Sequence, residues 1–441
     1  MWRRGVGPWA RPSIGPGPEG IPLYGIDFGT SNTVVTIKKG DRSRVLDLGE
    51  GGVLPSLLYF EQNRRPSVGH EAMADYSAAL QRWRGAGNLY ARFRFFQALK
   101  LALKDEFFEG TRIFGERVKV ESLAAVFLRE VKRRADEATG GGSEALVLGR
   151  PVILSPDPAI DRRLQERFRE TALLAGFSTV EFVYEPVAAS VHCTERKGEL
   201  VLVFDFGGGT LDICIARSTG GGIEPLATVG RNLGGCLLNE DISRELIVRH
   251  FGAGGKFRTM TGRELEMPIW ITNQVASFYA LPLADISRTR STIKDLIYDA
   301  RPADKDKLKG LIEFLDRNLA FDLFREIDDA KIALSSAPDS AIAYEVPPYV
   351  RFREKLPLPL FEAMIAPRVE AARALVNSAL DAAGVEAGGV DRVVRVGGSS
   401  QVPAFVRMLE GIFPGRVEEG EVFTSIASGL LAAAERGLTT P

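Results

Sequence analysis

The chain has 441 residues, 45% hydrophobic and 26% charged, with 56 basic against 57 acidic side chains and a net charge of −1. That length exceeds one ordinary hydrophobic core and predicts two or three domains of common globular composition. The near-zero charge argues against a nucleic-acid coat or a membrane-surface protein, and no apolar run reaches transmembrane length. Neither nucleic acid nor membrane is therefore an expected partner.

Residues 1–20, MWRRGVGPWARPSIGPGPEG, are rich in glycine and proline and lack an apolar signal-peptide core, so they read as a disordered tail. IPLYGIDF, TVVTIKK and RVLDLG follow as short β-branched runs parted by turn residues, a meander of strands. Over 70–140 the pattern becomes helical: EAMADYSAALQRW, FRFFQALKLAL, and SLAAVFLREVKRRADEA before a GGG stop. ALVLGRPVIL reads as a strand and RRLQERFRETALLAGF as a helix closed by Gly176.

The opening pattern then returns. ELVLVFDF, TLDICIAR and IEPLATVG are again three strands, and Asp205-Phe206-Gly207-Gly208 matches Asp27-Phe28-Gly29-Thr30. Matched strand–Asp–x–Gly turns at the head of two halves indicate duplication into two related lobes. Residues 251–335 are mostly helical. A third glycine turn comes in DRVVRVGGSSQVPAFVRMLEGIF: strand, Gly-Gly-Ser-Ser, then a helix with Pro403 at its start. SIASGLLAAAERG is a small-residue helix suited to tight packing.

The expected division is lobe I over 21–197, with an insert at about 50–120 and the C-terminal helix at about 418–441 returning to it. Lobe II covers 198–417, with a helical insert at about 236–325. Cys193, Cys214 and Cys236 form no CxxC pair, which fits a reducing cytoplasm, and His70, His192 and His250 lie far apart, which disfavours zinc or histidine catalysis.

Three glycine-ended strands can aim several backbone N–H groups at one point, and such nests bind phosphate oxygens. An aspartate just before the glycines is placed to hold Mg²⁺ through water, since that ion takes one or two carboxylates plus waters and phosphates. Thr30, Ser31 and Thr210 add hydroxyls. Neither a P-loop nor a GxGxxG fingerprint occurs.

GIDFGTSNTVV, VYEPVAASV, VFDFGGGTLDI and VGGSSQVPAFV resemble, in that order, the phosphate, connecting and adenosine motifs of the actin-like ATPase superfamily. The resemblance is closest to the nucleotide-binding domain of heat-shock (DnaK-type) chaperones, and AKIALSS (330–336) is similar to their adenine-side helix. It covers most of 21–441. It implies an α/β actin-like ATPase fold: two pseudo-symmetric, ribonuclease-H-like lobes with helical inserts around a nucleotide cleft. ATP or ADP and Mg²⁺ are the implied cofactors. Those chaperones continue into a peptide-binding β-sandwich and lid. This chain stops at its last helix, so it resembles the short bacterial members that keep the ATPase part alone.

By that resemblance Asp27 and Asp205 hold Mg²⁺ through waters, with Glu185 assisting. The competing reading of Glu185 is a carboxylate stabilised by a helix start, with Pro186 at the first turn. Gly29, Thr30, Ser31, Asn32 and Gly207, Gly208, Gly209 and Thr210 would contact the phosphates, with Gly234 and Gly235 beside them. Asp212 would orient water, or else serve as a cross-strand polar partner. Lys100 would reach the γ-phosphate and the attacking water; alternatively Lys100 and Lys104 line a solvated face. Gly397, Gly398 and Ser399 would pack on the nucleoside, opposite Asp328, Lys331 and Ser335.

Three departures from the family pattern stand out. Ile332 replaces a basic side chain over the adenine. Cys236-Leu237-Leu238 replace acidic residues after Gly-Gly. VFTSIASG (422–429) lacks the Pro-Asp-Glu before the last helix. The expected function is a slowly hydrolysing, monomeric, cytoplasmic ATPase of chaperone type, serving an unidentified protein client or regulator. A nucleotide-gated binding module with negligible turnover, and an actin-like filament protein, are the alternatives.

Overall fold

The computed structural model describes residues 23–440 apart from 40–41, 50, 84, 194–195, 221, 259–262, 278–285 and 421–423. The stretch 1–20 and residues 422–423 of VFTSIASG thus lie outside the described residues.

Two sheets with one topology organise the chain. In the first, Tyr24–Phe28, Asn32–Lys39 and Arg42–Val45 form an antiparallel meander, and Ala145–Arg150 and Thr179–Tyr184 extend it in parallel from Tyr24–Phe28. In the second, Leu200–Phe206, Leu211–Ser218 and Ile223–Arg231 form the meander, and Arg392–Val396 and Val417–Glu419 add in parallel. The first strand of each meander is central, and its penultimate residue is Asp27 or Asp205. Every residue of Leu200–Phe206 is buried, as expected where a strand is covered on both faces.

The small-residue helix Ser425–Glu435 packs against Glu185–Cys193 at backbone contact distance. A Cβ added to Gly429 would stand 1.8 Å from the Ala188 carbonyl oxygen. The Thr36 hydroxyl, from the first sheet, donates to the Ala427 carbonyl at 2.8 Å. These two helices share one apolar cluster with Val147 of the first sheet and Cys214 of the second.

The region read as helical over 70–140 departs from that reading at FRFFQALKLAL. Phe93–Phe96 is a buried strand paired with Leu58–Glu61, and only Leu99–Lys104 is helical. Aromatic packing outweighs local propensity here. Phe93 stacks on Tyr59 with centroids 5.7 Å apart, and Phe95 lies 4.8 Å from Tyr76. Ala98, at φ 54°, breaks the chain between strand and helix. A hairpin of Gly110–Ile113 and Glu116–Lys119 adds further extended structure. The helix Pro158–Leu174 starts ahead of RRLQERF, because the Asp157 carboxylate accepts the Ala159 and Ile160 N–H groups at 2.7 and 3.1 Å.

The two inserts meet. Phe321, at the start of the second lobe's helix Ala320–Ala333, packs on Phe95 at 4.6 Å and on Tyr76 at 5.4 Å. The Tyr76 hydroxyl donates to the Asn318 carbonyl at 3.0 Å.

Because Gly429 has no room for a methyl group, Gly429→Ala is expected to lower the free energy of unfolding by about 1–3 kcal/mol, the range of overpacking mutations. Urea denaturation of both proteins checks this; equal midpoints would contradict the contact.

Candidate functional site

The turns after the two first strands face each other. A Cβ on Gly208 would come within 3.2 Å of the Ser31 hydroxyl and of Thr30 Cβ, so the two Asp-Gly turns approach to side-chain contact. The Gly207 carbonyl accepts the Gly235 N–H and the Ser399 hydroxyl, both at 3.0 Å, and the Gly208 carbonyl accepts the Cys236 N–H at 2.9 Å. Those bonds need bare backbone: a Cβ on Gly234 would lie 2.2 Å from the Gly208 carbonyl oxygen. Gly397 has φ +80° and faces the Phe206 carbonyl, where a side chain would be both strained and blocked.

All of this surrounds one cavity of about 360 Å³, a size suited to a small organic ligand. Its wall unites Asp27, Gly29, Thr30, Ser31, Asn32, Lys100, Glu185, Asp205, Gly207, Gly208, Gly209, Thr210, Gly235, Asp328, Lys331, Ser335, Gly397, Gly398 and Ser399. Of the residues singled out in the sequence, Gly234 and Asp212 are not on that wall. Gly234 sits beneath the Gly208 carbonyl, where only glycine fits. Asp212 is the cross-strand partner of Asp205, and its carboxylate accepts the Val152 N–H of the other lobe at 2.9 Å.

At one end of the cavity three carboxylates surround one ammonium group. Lys100 Nζ donates to Glu185 Oε1 at 2.5 Å, with both side chains buried. Burial and the nearby Glu185 carboxylate push Asp27 up to about 7, and burial with Glu185, Asp212 and Asp27 nearby pushes Asp205 well above the usual carboxylate range. Burial disfavours the charged form of Lys100, but Glu185, Asp27 and Asp205 outweigh it and hold its pKa above the ordinary value. Lys100 points inward rather than to a solvated face, whereas Lys104, half-buried, donates to Asn232 Oδ1 at 2.8 Å. The carboxylate surplus suits a bound cation. Among the described residues no three His, Cys, Asp or Glu side chains converge to grip a metal directly.

At the other end, Lys331 Nζ and Asn239 Nδ2 both donate to Asp328 Oδ1, at 2.6 and 3.0 Å. Burial raises the Asp328 pKa, but the Lys331 ammonium and the Asn239 amide outweigh it and leave Asp328 below its usual value. Ile332 is 57% exposed and lies on the cavity wall beside them. Asn239, Cys236, Gln401 and Ile426 also line the cavity and went unnoticed as site residues in the sequence. Asn239 had a legible signal, lying one helical turn beyond Gly235 on the helix Gly235–Ile242.

The raised carboxylates give the cation-free protein a pH dependence. Asp27, and Asp212 (raised to about 7 by burial and by Glu185), bind protons more tightly when folded than when unfolded. Their contribution to stability is therefore greatest near pH 4 and is lost as pH rises through about 7. In the presence of a chelator, the urea midpoint is expected to rise between pH 8 and pH 5.5, and less so in Asp27→Asn. A flat profile in wild type would contradict the burial of these charges.

The described residues contain no helix long and apolar enough to cross a membrane. The profile described as "Hsp70 protein" matches residues 23–259 and 306–422. The chain is 25% identical over 405 residues to the "Chaperone protein DnaK" of Thermosipho melanesiensis, covering 89% of this chain and 55% of that one. It is 26% identical over 440 residues to that of Deinococcus radiodurans, covering 94% and 59%. With the "Chaperone protein HscA homolog" of Azotobacter vinelandii it shares 28% over 423 residues, covering 92% and 56%. The chain thus spans 55–59% of the length of these curated relatives. With the profile matched across both sheets and every glycine turn, the chain belongs to the Hsp70 family and has its actin-like ATPase fold.

Proposed function

We propose that the cavity binds ATP and hydrolyses it slowly, in a chaperone-type protein of the cytoplasm whose lobe closure is read by a protein client or regulator. One observation carries this reading: a single cavity joins three glycine turns, two strand-end aspartates and a buried Lys100–Glu185 pair. The glycine turns and the Thr30, Ser31 and Thr210 hydroxyls would hold the phosphates. Asp27 and Asp205 would hold hydrated Mg²⁺, which supplies charge neutralisation at the β- and γ-phosphate oxygens. Cys193, Cys214 and Cys236 form no disulfide with one another, which supports a reducing compartment. Gly397, Gly398 and Ser399 would form one face of the nucleoside pocket, and Asp328, Lys331 and Ser335 the other. Ile332 would offer the adenine an aliphatic contact.

In the proposed reaction, a water oxygen bonds to the γ-phosphorus as the bond to the β,γ-bridging oxygen breaks. ADP and orthophosphate are the products. Lys100, held by Glu185, stabilises charge on the transferring group and aligns the water; phosphoryl transfer asks mainly for such positioning. Asp212 steadies the Asp205 strand and ties it to Val152 of the other lobe.

Single-turnover hydrolysis with Mg²⁺ tests the reading. Wild type is expected to convert bound ATP to ADP, while Lys100→Ala binds ATP but converts it about 10²–10³ times more slowly, the usual cost of one preorganised charge-stabilising donor. Bound ATP that stays intact in wild type would make the protein a nucleotide-gated binding module. Absence of ATP binding would overturn the reading altogether.

The helix Ala320–Ala333 carries Asp328 and Lys331 toward the nucleoside and Phe321 into the aromatic cluster of the opposite lobe. Phe321→Ala should therefore loosen closure and speed ADP release about tenfold, roughly 1.4 kcal/mol. Displacement of a fluorescent ADP analogue in stopped flow measures this; an unchanged rate would separate the aromatic contact from nucleotide retention.

A further inference from the structure

Behind the Gly207–Gly209 turn lies a second cavity of about 340 Å³, between the helices Leu99–Lys104 of the first lobe and Gly235–Ile242 of the second. It shares Gly208, Gly209 and Cys236 with the wall of the nucleotide cavity. The partition between the two is therefore backbone and one thiol. Two bonds close it: Gly235 N–H to the Gly207 carbonyl at 3.0 Å and Cys236 N–H to the Gly208 carbonyl at 2.9 Å.

Beyond the partition stands Lys104, whose ammonium donates to the Asn232 carboxamide at 2.8 Å. Burial lowers its pKa to about 8, which leaves it charged at neutral pH. Two of the three carboxylates around this cavity face arginines. Glu106 faces Arg163 and Glu240 faces Arg244, each at 3.5 Å, and Asp105 accepts the Phe107 N–H at 3.0 Å. Cys236, in the partition, and Leu237, on the wall of the second cavity, carry no charge.

The front of the nucleotide cavity, between Gly397, Gly398 and Ser399 and the residues Asp328, Lys331 and Ser335, would be filled by the nucleoside. Orthophosphate formed beside Gly208 and Gly209 would have bound ADP in front of it and the thin partition behind. We propose that the second cavity is the exit site for orthophosphate, which leaves past Gly208, Gly209 and Cys236 and is received by the Lys104 ammonium. The seam parts when the two N–H···O=C bonds break, and an anion crossing it meets no fixed negative charge at Cys236 or Leu237. This inference rests on the ATPase reading above for the origin of the phosphate.

The test follows cleavage and release in one time course. Acid quench measures bound ATP converted, and a fluorescent phosphate-binding protein measures orthophosphate set free. Lys104→Met and Leu237→Asp are each expected to delay release about tenfold with cleavage unchanged, whereas Leu237→Asn releases as wild type does. Release that tracks cleavage in both variants overturns the exit route. If wild type cleaves no ATP, the ATPase reading fails instead, and binding of radiolabelled orthophosphate to the ADP-bound protein decides the site. Wild type must then bind it, and Lys104→Met must bind it about tenfold less tightly. Equal binding by the two, or none by wild type, rejects the site.

Discussion

The structure depends on a concentration of buried charge. Glu185, Asp205 and Asp27 converge on the Lys100 ammonium at the junction of the two lobes. Like charges brought this close cost free energy unless a cation or a proton compensates them. Lys100 supplies one positive charge, and the raised pKa values of Asp27 and Asp205 show that it is not enough. That imbalance favours a cation at this end of the cavity. It also requires that the strands carrying the carboxylates be held rigidly.

The architecture provides that rigidity. Asp27 and Asp205 end the central strands of two sheets with the same order, so each is positioned by neighbours on both sides. Glu185 opens a helix locked to the C-terminal helix at Gly429, where backbone meets backbone. The glycine turns then bring N–H and C=O groups of distant segments into direct bonds, as between Gly207 and Gly235 or Gly208 and Cys236. A side chain at Gly234 would break this arrangement, because the carbonyl it faces is nearer than any real Cβ contact allows.

Closure of the cleft rests on a different kind of contact. Phe321 enters a cluster of Tyr76 and Phe95 from the opposite lobe, a mainly dispersive and hydrophobic interaction without fixed charge. Its helix also carries Asp328 and Lys331, so one rigid element joins the cavity wall to the aromatic contact. Charge thus defines one end of the cavity, and apolar packing joins the helix behind its other end to the opposite lobe.

Much of this was legible in the residues themselves. The duplicated strand–Asp–x–Gly turns announced two related lobes, because a glycine run after a buried strand is costly and its recurrence is informative. The small residues of SIASGLLAAAERG announced a close helix contact. What local pattern could not show was anything set by partners far along the chain. Phe93–Phe96 is a strand because Tyr59 and Tyr76 pack on it, not because of its own neighbours. Lys100 is buried because Glu185 receives it, while Lys104 turns to Asn232, a difference that their one-turn spacing on a helix does not show. Asn239, one turn beyond Gly235, meets Asp328 of a distant helix only in the folded chain. Turn chemistry and periodicity are local and therefore written in the sequence, whereas burial of charge and the pairing of distant side chains exist only once the lobes have closed on each other.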